Sequence, residues 1–368
     1  MLLVGGLLLL LLHAALAGSA VSEFDVLVYG ATSGGVMAAV AAARNGAASV
    51  ALLDPGERIG GMTAGGLSAT DVGRAQVIGG MALELFRENG KRYGKAVEFN
   101  WEPHVALELL HALIANASVT LIDKAQVETV IKTGGKLTGL TTVDGRSFTA
   151  SVFVEADYEG DLMARAGVSW THGREGKDQY NESLAGYRLA NQGHEFSVAI
   201  NPYVQGTQDL LPMLTPWTPP ENDPTRAEGQ ADSKTQSYNF RLCVTTNKTN
   251  LVPFTKPDGY DPEYWELARR YFTHPLIVPR VSAPCGNVAA YCGGGGVGSK
   301  HDLNNGGPIS TDFIGGSWAY PNASYPERAK IFEQHKFYTQ SFLWFMSTDP
   351  ALNESIKTVR KTPHFLRH

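Results

Sequence analysis

The chain has 368 residues, of which 43% are hydrophobic and 18% charged, and its formal net charge is −5. This is ordinary globular composition, so intrinsic disorder is not expected, and the length allows two domains. The charges are not gathered into long runs of one sign, which disfavours nucleic acid and anionic membrane surfaces as partners.

The first element is an apolar segment, Leu2–Leu12, followed by small residues. It is shorter than the roughly 20 residues that a membrane-spanning helix needs. Ala15-Leu16-Ala17 fits the small-x-small pattern of a signal-peptide cleavage site. We therefore expect residues 1–20 to be a secretory signal peptide and the mature chain to lie outside the cytosol. An N-terminal membrane anchor is the alternative, because no Lys or Arg precedes the apolar segment.

A strand, a glycine turn, a helix and a second strand come next. Phe24–Tyr29 is a short apolar run typical of a buried parallel strand, and Gly34–Asn45 is an Ala-rich stretch without proline that predicts a helix. Ser49–Leu53 predicts the next strand. This order is the pattern of a dinucleotide-binding βαβ unit.

The turn of this unit places Gly30, Thr32 and Gly35 at the three positions of the G-x-G-x-x-G pattern. Gly30 permits the tight turn, and Gly35 lets the helix pack against the strand. Thr32 departs from the pattern, since its Cβ narrows the approach of a pyrophosphate, although its hydroxyl could donate a hydrogen bond to phosphate. Asp54 ends the second strand 24 residues after Gly30, where a carboxylate that binds ribose hydroxyls is expected.

Beyond this unit the pattern changes from helices to strands. A Gly60-Gly61 turn is followed by two predicted helices and then by short strands separated by the hairpin signals Gly134-Gly135 and Asp144-Gly145. We interpret the strands as a β-meander inserted into the nucleotide-binding domain. The predicted helices are Met81–Tyr93, Pro103–Asn116 and Leu162–Ala166, and the predicted strands are Val119–Ile122, Ala125–Lys132, Lys136–Val143, Arg146–Ala150 and Val152–Ala156.

The second half of the chain has little periodicity and many prolines. We expect residues 171–320 to form a substrate-facing domain with loops and a few strands, including Ser237–Thr245. Glu327–Ser347 predicts a long amphipathic helix. Its aromatic residues are interpreted as core contacts: Phe332, Phe337, Phe342, Trp344 and Phe345.

The cysteines and the N-x-Ser/Thr triplets of the chain are relevant to export. Cys285 and Cys292 flank a short segment and could form a disulfide in an exported chain, or remain two separate thiols, while Cys243 is interpreted as a buried core residue. Five N-x-Ser/Thr triplets agree with a secreted glycoprotein, although such triplets also occur by chance. They begin at Asn116, Asn181, Asn247, Asn322 and Asn353.

Four passages together resemble the FAD-dependent oxidoreductase family whose bacterial members are often labelled xanthan-lyase-like. They are VYGATSGGVMAAVAAARNG, LLDPGERIGGMTAGGLSATDVG, FVEADYEGDLMARAGVSWTHGRE, and SYNFRLCVT with HDLNNGGPISTDFIGGSWAYP. The resemblance implies an α/β fold: a Rossmann-like FAD-binding domain with an inserted β-meander at residues 24–170, and a second, mixed α+β substrate domain at 171–320. Residues 321–368 would contribute a C-terminal helix.

The resemblance also implies which residues contact FAD. The residues themselves agree with FAD over NAD, because the Gly60-Gly61 turn and the meander suit a longer, buried flavin cofactor. The implied contacts are Gly30, Ser33, Gly34 and Gly35 at the pyrophosphate, Asp54 at the adenosine ribose, Gly60, Gly61, Met62 and Thr63 along the ribityl chain, Val127 at adenine, and Asp157, Gly160 and Asp161 at the second strand end.

The resemblance further predicts that the chain is truncated. Family members continue past its last residue and contribute a final strand and a helix N-terminus near the flavin ring, whereas the ending DPALNESIKTVRKTPHFLRH reads as polar and strand-free. We expect the remainder of the FAD domain to be missing.

No single residue stands out as the catalytic base. The candidate bases are His104, His172, His194 and His301, although a lone histidine is more often a hydrogen-bonded structural residue. The densest polar group lies beside the Gly293–Gly296 run, and no metal site is expected there, because the spacing does not fit one. Its members are the candidate catalytic residues His301, Asp302, Asn305 and Asp312, together with Asn304.

Three functions remain open at this point. The first is an exported FAD-dependent oxidoreductase that oxidises a small hydroxylated or amine substrate by hydride transfer to the flavin. The second is a truncated, non-redox binding protein that keeps the nucleotide fold. The third is a polysaccharide lyase, for which no arrangement of Tyr, His and Arg argues. The sequence leaves the oligomeric state open.

Overall fold

The computed structural model describes residues 21–67, 70–188, 194–214, 227–245, 251–252, 254–277, 300–303, 306–353 and 364–366. The chain divides into two compact units. Unit 1 comprises Met1–Gly65, Gly79–Glu88 and His104–Trp170, and unit 2 comprises Gly66–Ile78, Asn89–Pro103 and Thr171–His368. The predicted signal peptide, Cys285, Cys292, Asn304 and Asn305 lie outside the described residues.

Unit 1 contains a six-stranded sheet in the order β3-β2-β1-β6-β5-β4. Strands β1, β2, β3 and β6 run parallel, while β4 and β5 join the edge as an antiparallel hairpin. The predicted α/β, Rossmann-like arrangement with an inserted meander is therefore confirmed. The strands are β1 Val21–Tyr29, β2 Val50–Leu53, β3 Thr120–Ile122, β4 Val127–Thr133, β5 Lys136–Thr142 and β6 Ser147–Glu155.

Strand β6 corrects one prediction. Arg146–Ala150 and Val152–Ala156 were expected as two strands, but Ser147–Glu155 is one continuous strand. No glycine or proline separates the two runs, so the backbone stays extended. Its first part pairs with β5, where Phe148 lies opposite Leu140, and its length as a whole runs beside β1. The meander thus leads directly into the central sheet.

Helices and apolar side chains cover the sheet of unit 1. The first helix packs against β1 and β2 through Val36, Ala39 and Val40, which are fully buried. A second cluster, which includes Leu27, Tyr29, Leu53, Leu140 and Phe148, joins β1 and β2 to the meander. The helices are α1 Ser33–Arg44, α2 Gly80–Arg92, α3 Pro103–Asn116 and α4 Asp161–Arg165.

Unit 2 contains a four-stranded sheet in the order β8-β10-β7-β9. The prediction that the chain ending is strand-free is wrong, because its strand β10 pairs with β7 and β8. These partners lie more than a hundred residues earlier, so no local pattern indicated the pairing. The elements are β7 Leu242–Thr245, β8 Leu251–Val252, α5 Glu266–Phe272, β9 Lys300–Leu303, α6 Tyr325–Thr348 and β10 His364–Leu366.

Aromatic side chains form the core of unit 2. Trp265 is fully buried and contacts the rings of Tyr338, Phe342 and Phe345, which follow one face of α6 at helical spacing. The predicted core role is confirmed for Phe342 and Phe345. It is wrong for two other aromatic residues of α6, because Phe332 is 50% exposed and Phe337 is 42% exposed. Among the described helices, α6 included, none is long and apolar enough to cross a membrane.

Candidate functional site

The parallel register of unit 1 brings three chain segments to one edge of the sheet. Tyr29 pairs with Leu53 on one side and with Glu155 on the other, so β1, β2 and β6 end at the same level. The segments that follow are the turn 30–35, the stretch 54–63 and the stretch 156–161. This edge, at the carboxyl ends of parallel strands, is where open α/β sheets bind ligands.

Two glycines hold the first turn in close contact with its surroundings. Gly30 has φ +95°, and a Cβ there would lie 2.3 Å from the backbone nitrogen of Asp157. A Cβ on Gly35 would lie 1.9 Å from the carbonyl oxygen of Gly30. Both distances are far below contact distance, so the turn packs onto the end of β6 only because these side chains are absent.

Thr32 stabilises the turn through two hydrogen bonds of its hydroxyl. Its hydroxyl donates to the carbonyl of Ala156 at 2.8 Å and accepts from the N–H of Gly35 at 3.1 Å, which makes it the N-cap of α1. The sequence left open a hydrogen bond from this hydroxyl to phosphate; in the structure its proton is engaged with the carbonyl of Ala156, just after β6. Thr32, which stands where the pattern has glycine, therefore caps α1 and links the turn to the segment that follows β6.

The start of α1 has the properties of an anion site. Gly34 is exposed, and a Cβ there would meet only the Thr32 hydroxyl, at 3.7 Å. In the described part of the chain no acceptor faces its N–H, and the first turn of α1 carries no acidic side chain. An open helix N-terminus with a free N–H suits a phosphate group. The residues present thus fit the pyrophosphate of a dinucleotide.

Asp54 follows β2 and faces the same edge. Its side chain is buried, and its Oδ1 accepts from the N–H of Gly56 at 2.6 Å. Burial raises the pKa of this carboxyl above its usual value and the charge of Asp123 adds to the shift, while hydrogen bonds from the backbone N–H groups of Gly56 and Ala31 oppose it. A buried carboxylate with remaining acceptor capacity is the group that ribose hydroxyls require. Its contact with a ribose stays a prediction.

The Gly60-Gly61 turn is attached to the glycine turn. The N–H of Gly60 donates to the carbonyl of Ala31 at 2.6 Å, and Thr32 and Gly60 form a parallel bridge. Gly60 has φ +94°, and a Cβ there would lie 2.6 Å from a methyl carbon of Leu110. The 3₁₀ turn Gly61–Thr63 follows, so the residues expected along the ribityl chain lie beside those expected at the pyrophosphate.

Three carboxylates surround the end of β6. Asp157 accepts from the N–H groups of Gly160 and Asp161, while Glu155 accepts from the N–H of Met163 at 2.8 Å. Asp161 forms an ion pair with Arg165 at 3.3 Å. Burial, and next the charge of Glu155, raise the pKa of Asp157 to about 7. Among the described residues, neither this trio nor any other group is arranged to hold a metal ion.

We expect Asp157→Asn to reduce the pH dependence of folding stability. The folded protein holds the Asp157 proton up to about pH 7, whereas an ordinary aspartate loses it near 3.8. Ionisation therefore destabilises the folded state as pH rises between these values. The melting temperature of the wild type should fall from pH 5 to pH 8 by about 2–4 °C more than that of the variant.

The control for this measurement is Asp144→Asn. Arg146 and Thr142 lower the pKa of Asp144 to about 2, so this group stays charged throughout the range. The control should therefore keep the wild-type slope between pH 5 and pH 8. Parallel curves for Asp157→Asn and the wild type would contradict the assignment of the titration to Asp157.

Of the remaining predicted residues, Val127 belongs to unit 1 and the candidate catalytic residues belong to unit 2. Val127 lies at the start of β4, and its N–H donates to the hydroxyl of Tyr29 at 3.0 Å, so this N–H is engaged inside the protein. His301 and Asp302, expected in a binding loop, lie on strand β9, opposite Val244 and Cys243 of β7. Asp312 is buried in unit 2. The catalytic assignments of these residues and of Asn305 stay predictions.

Sequence reasoning missed two side chains at this edge, those of Tyr158 and Glu155. The Tyr158 hydroxyl accepts from the N–H of Met62 at 3.0 Å, and Glu155 accepts from the N–H of Asp157 at 3.1 Å. Both flank Asp157 in the passage EADYEGD, and this proximity is the signal that was available. Nothing in the sequence indicated that Tyr158 would contact a turn 96 residues earlier.

The chain matches the model of one protein family and resembles several solved structures at low sequence identity. The model of a family described as FAD dependent oxidoreductase matches residues 25–364. No curated protein matches the chain. L-proline dehydrogenase from P. horikoshii is 13% identical with a TM-score of 0.33, and the match covers 43% of this chain and 59% of that one. Thioredoxin reductase from T. acidophilum is 23% identical with a TM-score of 0.26, and the match covers 37% and 36%. The chain thus spans less than two thirds of either structure.

Proposed function

This chain belongs to the FAD dependent oxidoreductase family and FAD is its cofactor; from this premise we propose that it is an exported enzyme that oxidises a small substrate by hydride transfer to the flavin. The observation that carries the proposal is the joined sheet edge of unit 1. There the open N-terminus of α1, the buried Asp54 carboxylate and the Gly60–Thr63 turn lie on three connected segments.

Each part of this edge has a separate role in binding FAD. The N–H of Gly34 and the dipole of α1 bind the pyrophosphate, with Gly30, Ser33 and Gly35 shaping the turn around it. Asp54 would accept hydrogen bonds from the adenosine ribose, and the backbone of Val127 would contact adenine. Gly60, Gly61, Met62 and Thr63 line the ribityl chain, and Asp157, Gly160 and Asp161 close the site at the end of β6.

Bound FAD supplies the two-electron chemistry, so the protein has to place a substrate C–H against the flavin and remove a proton. His301, Asp302, Asn305 and Asp312 are the candidates for orienting the substrate or accepting its proton, and a small hydroxylated or amine compound is the proposed substrate class. These groups can exchange hydrogen bonds with such a substrate.

An anaerobic reduction experiment tests the activity. The purified chain is loaded with FAD, freed from excess cofactor and mixed without oxygen with a panel of small alcohols, hydroxy acids and amines. Loss of the oxidised flavin absorbance with one class, and its return when oxygen or an artificial acceptor is added, would support the proposal. A bound flavin that only dithionite reduces, across the whole panel, would favour a non-redox binding protein.

Export is the part of the proposal that the sequence alone supports. Two of the glycosylation triplets begin at Asn116 and Asn181, which are exposed as the modification requires. Expression in a eukaryotic secretory host, followed by N-terminal sequencing, tests the location. A chain in the medium that begins shortly after Ala17 supports cleavage, whereas a cytosolic chain that retains Met1 contradicts export.

A further inference from the structure

A single phenol connects the Gly61–Thr63 turn to the end of β6. The N–H of Met62 donates to the hydroxyl of Tyr158 at 3.0 Å, across 96 residues of sequence. Both side chains lie at the surface of unit 1, since Tyr158 is 56% exposed and Met62 is 61% exposed. One hydrogen bond in such an exposed position adds little to folding stability. Folding stability alone therefore does not account for the contact between Met62 and Tyr158.

The phenol also determines what can stand at position 61. Gly61 has φ +51°, and a Cβ there would lie 2.3 Å from the Tyr158 hydroxyl oxygen and 2.8 Å from two carbons of its ring. The ring therefore lies directly against the backbone of Gly61. Any larger residue at this position would have to displace it.

The turn is thus held at both ends. On one side, Gly60 donates to Ala31 in the glycine turn at 2.6 Å. On the other side, Met62 donates to Tyr158. Between the two bonds lies Gly61, in a left-handed conformation that a free chain adopts only part of the time. Fixing this conformation before a ligand arrives removes an ordering step from binding.

We propose that Tyr158 is a positioning residue for FAD: its hydroxyl fixes the Gly60–Thr63 turn in the conformation that the phosphate–ribityl part of the cofactor contacts. This inference rests on the proposed function, because it requires FAD to bind along that turn. Without the hydroxyl the turn samples other conformations. FAD then associates more slowly, although its contacts in the bound state are the same.

The test compares Tyr158→Phe with the wild type in FAD binding. We expect the dissociation constant to rise about threefold to tenfold, the range for one lost hydrogen bond. The change should lie in the association rate, followed by stopped-flow flavin fluorescence, while the dissociation rate stays the same. The melting temperature of the apoprotein should stay within about 2 °C of the wild type. Tyr180→Phe is the matched control, since Tyr180 is a tyrosine of similar exposure, at 62%.

A second pair of variants tests the same contact from the glycine side. Gly61→Ala places a methyl group where the phenol lies, and we expect it to weaken FAD binding at least tenfold. Adding Tyr158→Ala to Gly61→Ala removes the obstructing ring. The double variant should bind FAD less weakly than the sum of the two single effects predicts. Strictly additive effects would show that the two residues act independently.

The outcomes separate this inference from the proposed function. Failure of the wild type to bind FAD would overturn the proposed function itself. A wild type that binds FAD while Tyr158→Phe binds equally well would overturn only the role of Tyr158. Tighter binding by Tyr158→Phe would also overturn it, because the phenol would then compete with FAD for the Met62 N–H. A faster dissociation rate would indicate a direct contact with FAD in place of positioning.

Discussion

Gly35→Ala is expected to weaken FAD binding by at least two orders of magnitude and to lower the free energy of unfolding by about 3 kcal/mol. The added Cβ would lie 1.9 Å from the carbonyl oxygen of Gly30 and 3.1 Å from the Cβ of Ala156. The first obstacle is backbone, so no side-chain rotation relieves it. Helix α1 must shift away from β6, and the Thr32 hydrogen bonds to Gly35 and Ala156 are lost with it.

Gly34→Ala is the matched control for stability. Its Cβ would meet only the Thr32 hydroxyl, at an ordinary contact distance of 3.7 Å. We expect its free energy of unfolding to stay within about 0.5 kcal/mol of the wild type. Urea unfolding followed by circular dichroism measures both variants. Equal stabilities of Gly35→Ala and Gly34→Ala would contradict the close approach of α1 to the glycine turn.

Asp54→Asn is expected to weaken FAD binding about 10-fold to 100-fold without lowering the stability of the apoprotein at pH 7. The amide keeps one acceptor oxygen for the N–H of Gly56 but has no second one for a ribose hydroxyl. Because burial raises the pKa of Asp54, its ionised form destabilises the folded protein at neutral pH. The neutral amide lacks that charge, so the melting temperature should stay equal or rise.

The pH dependence of FAD affinity tests the role of Asp54 in a second way. As pH falls through the raised pKa of Asp54, the carboxyl takes a proton and loses acceptor capacity, so the wild-type affinity should fall. The Asp54→Asn variant should lack this part of the decrease. Asp123→Asn is the control: this neighbouring carboxylate is exposed, so the variant should keep the decrease in affinity, moved to lower pH because the charge of Asp123 raises the pKa of Asp54. Isothermal titration at several pH values measures all three proteins, and an unchanged affinity in Asp54→Asn would contradict the ribose contact.

The sequence was sufficient to predict features whose signal is local. The helix after Gly30, the position of Asp54 and the meander follow from spacing, periodicity and hairpin residues within a few dozen positions. Family resemblance extended these predictions to the Gly60–Thr63 turn and the end of β6. The structure brings these segments to one sheet edge because their strands share a parallel register.

What the sequence did not reveal depends on contacts between distant residues. From the sequence, Thr32 is predicted to narrow the approach of a pyrophosphate. In the structure its hydroxyl donates to the carbonyl of Ala156, 124 residues later. Strand β10 forms through pairing with β7 and β8, which are distant in the sequence. Phe332 and Phe337 fit the aromatic pattern of a core helix, yet the face that packs on Trp265 carries Tyr338, Phe342 and Phe345. Such outcomes are decided by tertiary packing.

The central claim is that the edge formed by Gly30–Gly35, Asp54 and Gly60–Thr63 holds FAD, and the most direct measurement is the flavin content of the folded chain. The purified protein is incubated with excess FAD, passed through a desalting column and denatured, and the released flavin is quantified against protein. We expect close to one FAD per chain for the wild type and almost none for Gly35→Ala. A folded wild-type chain that retains no flavin, or equal retention by the two proteins, would contradict the claim.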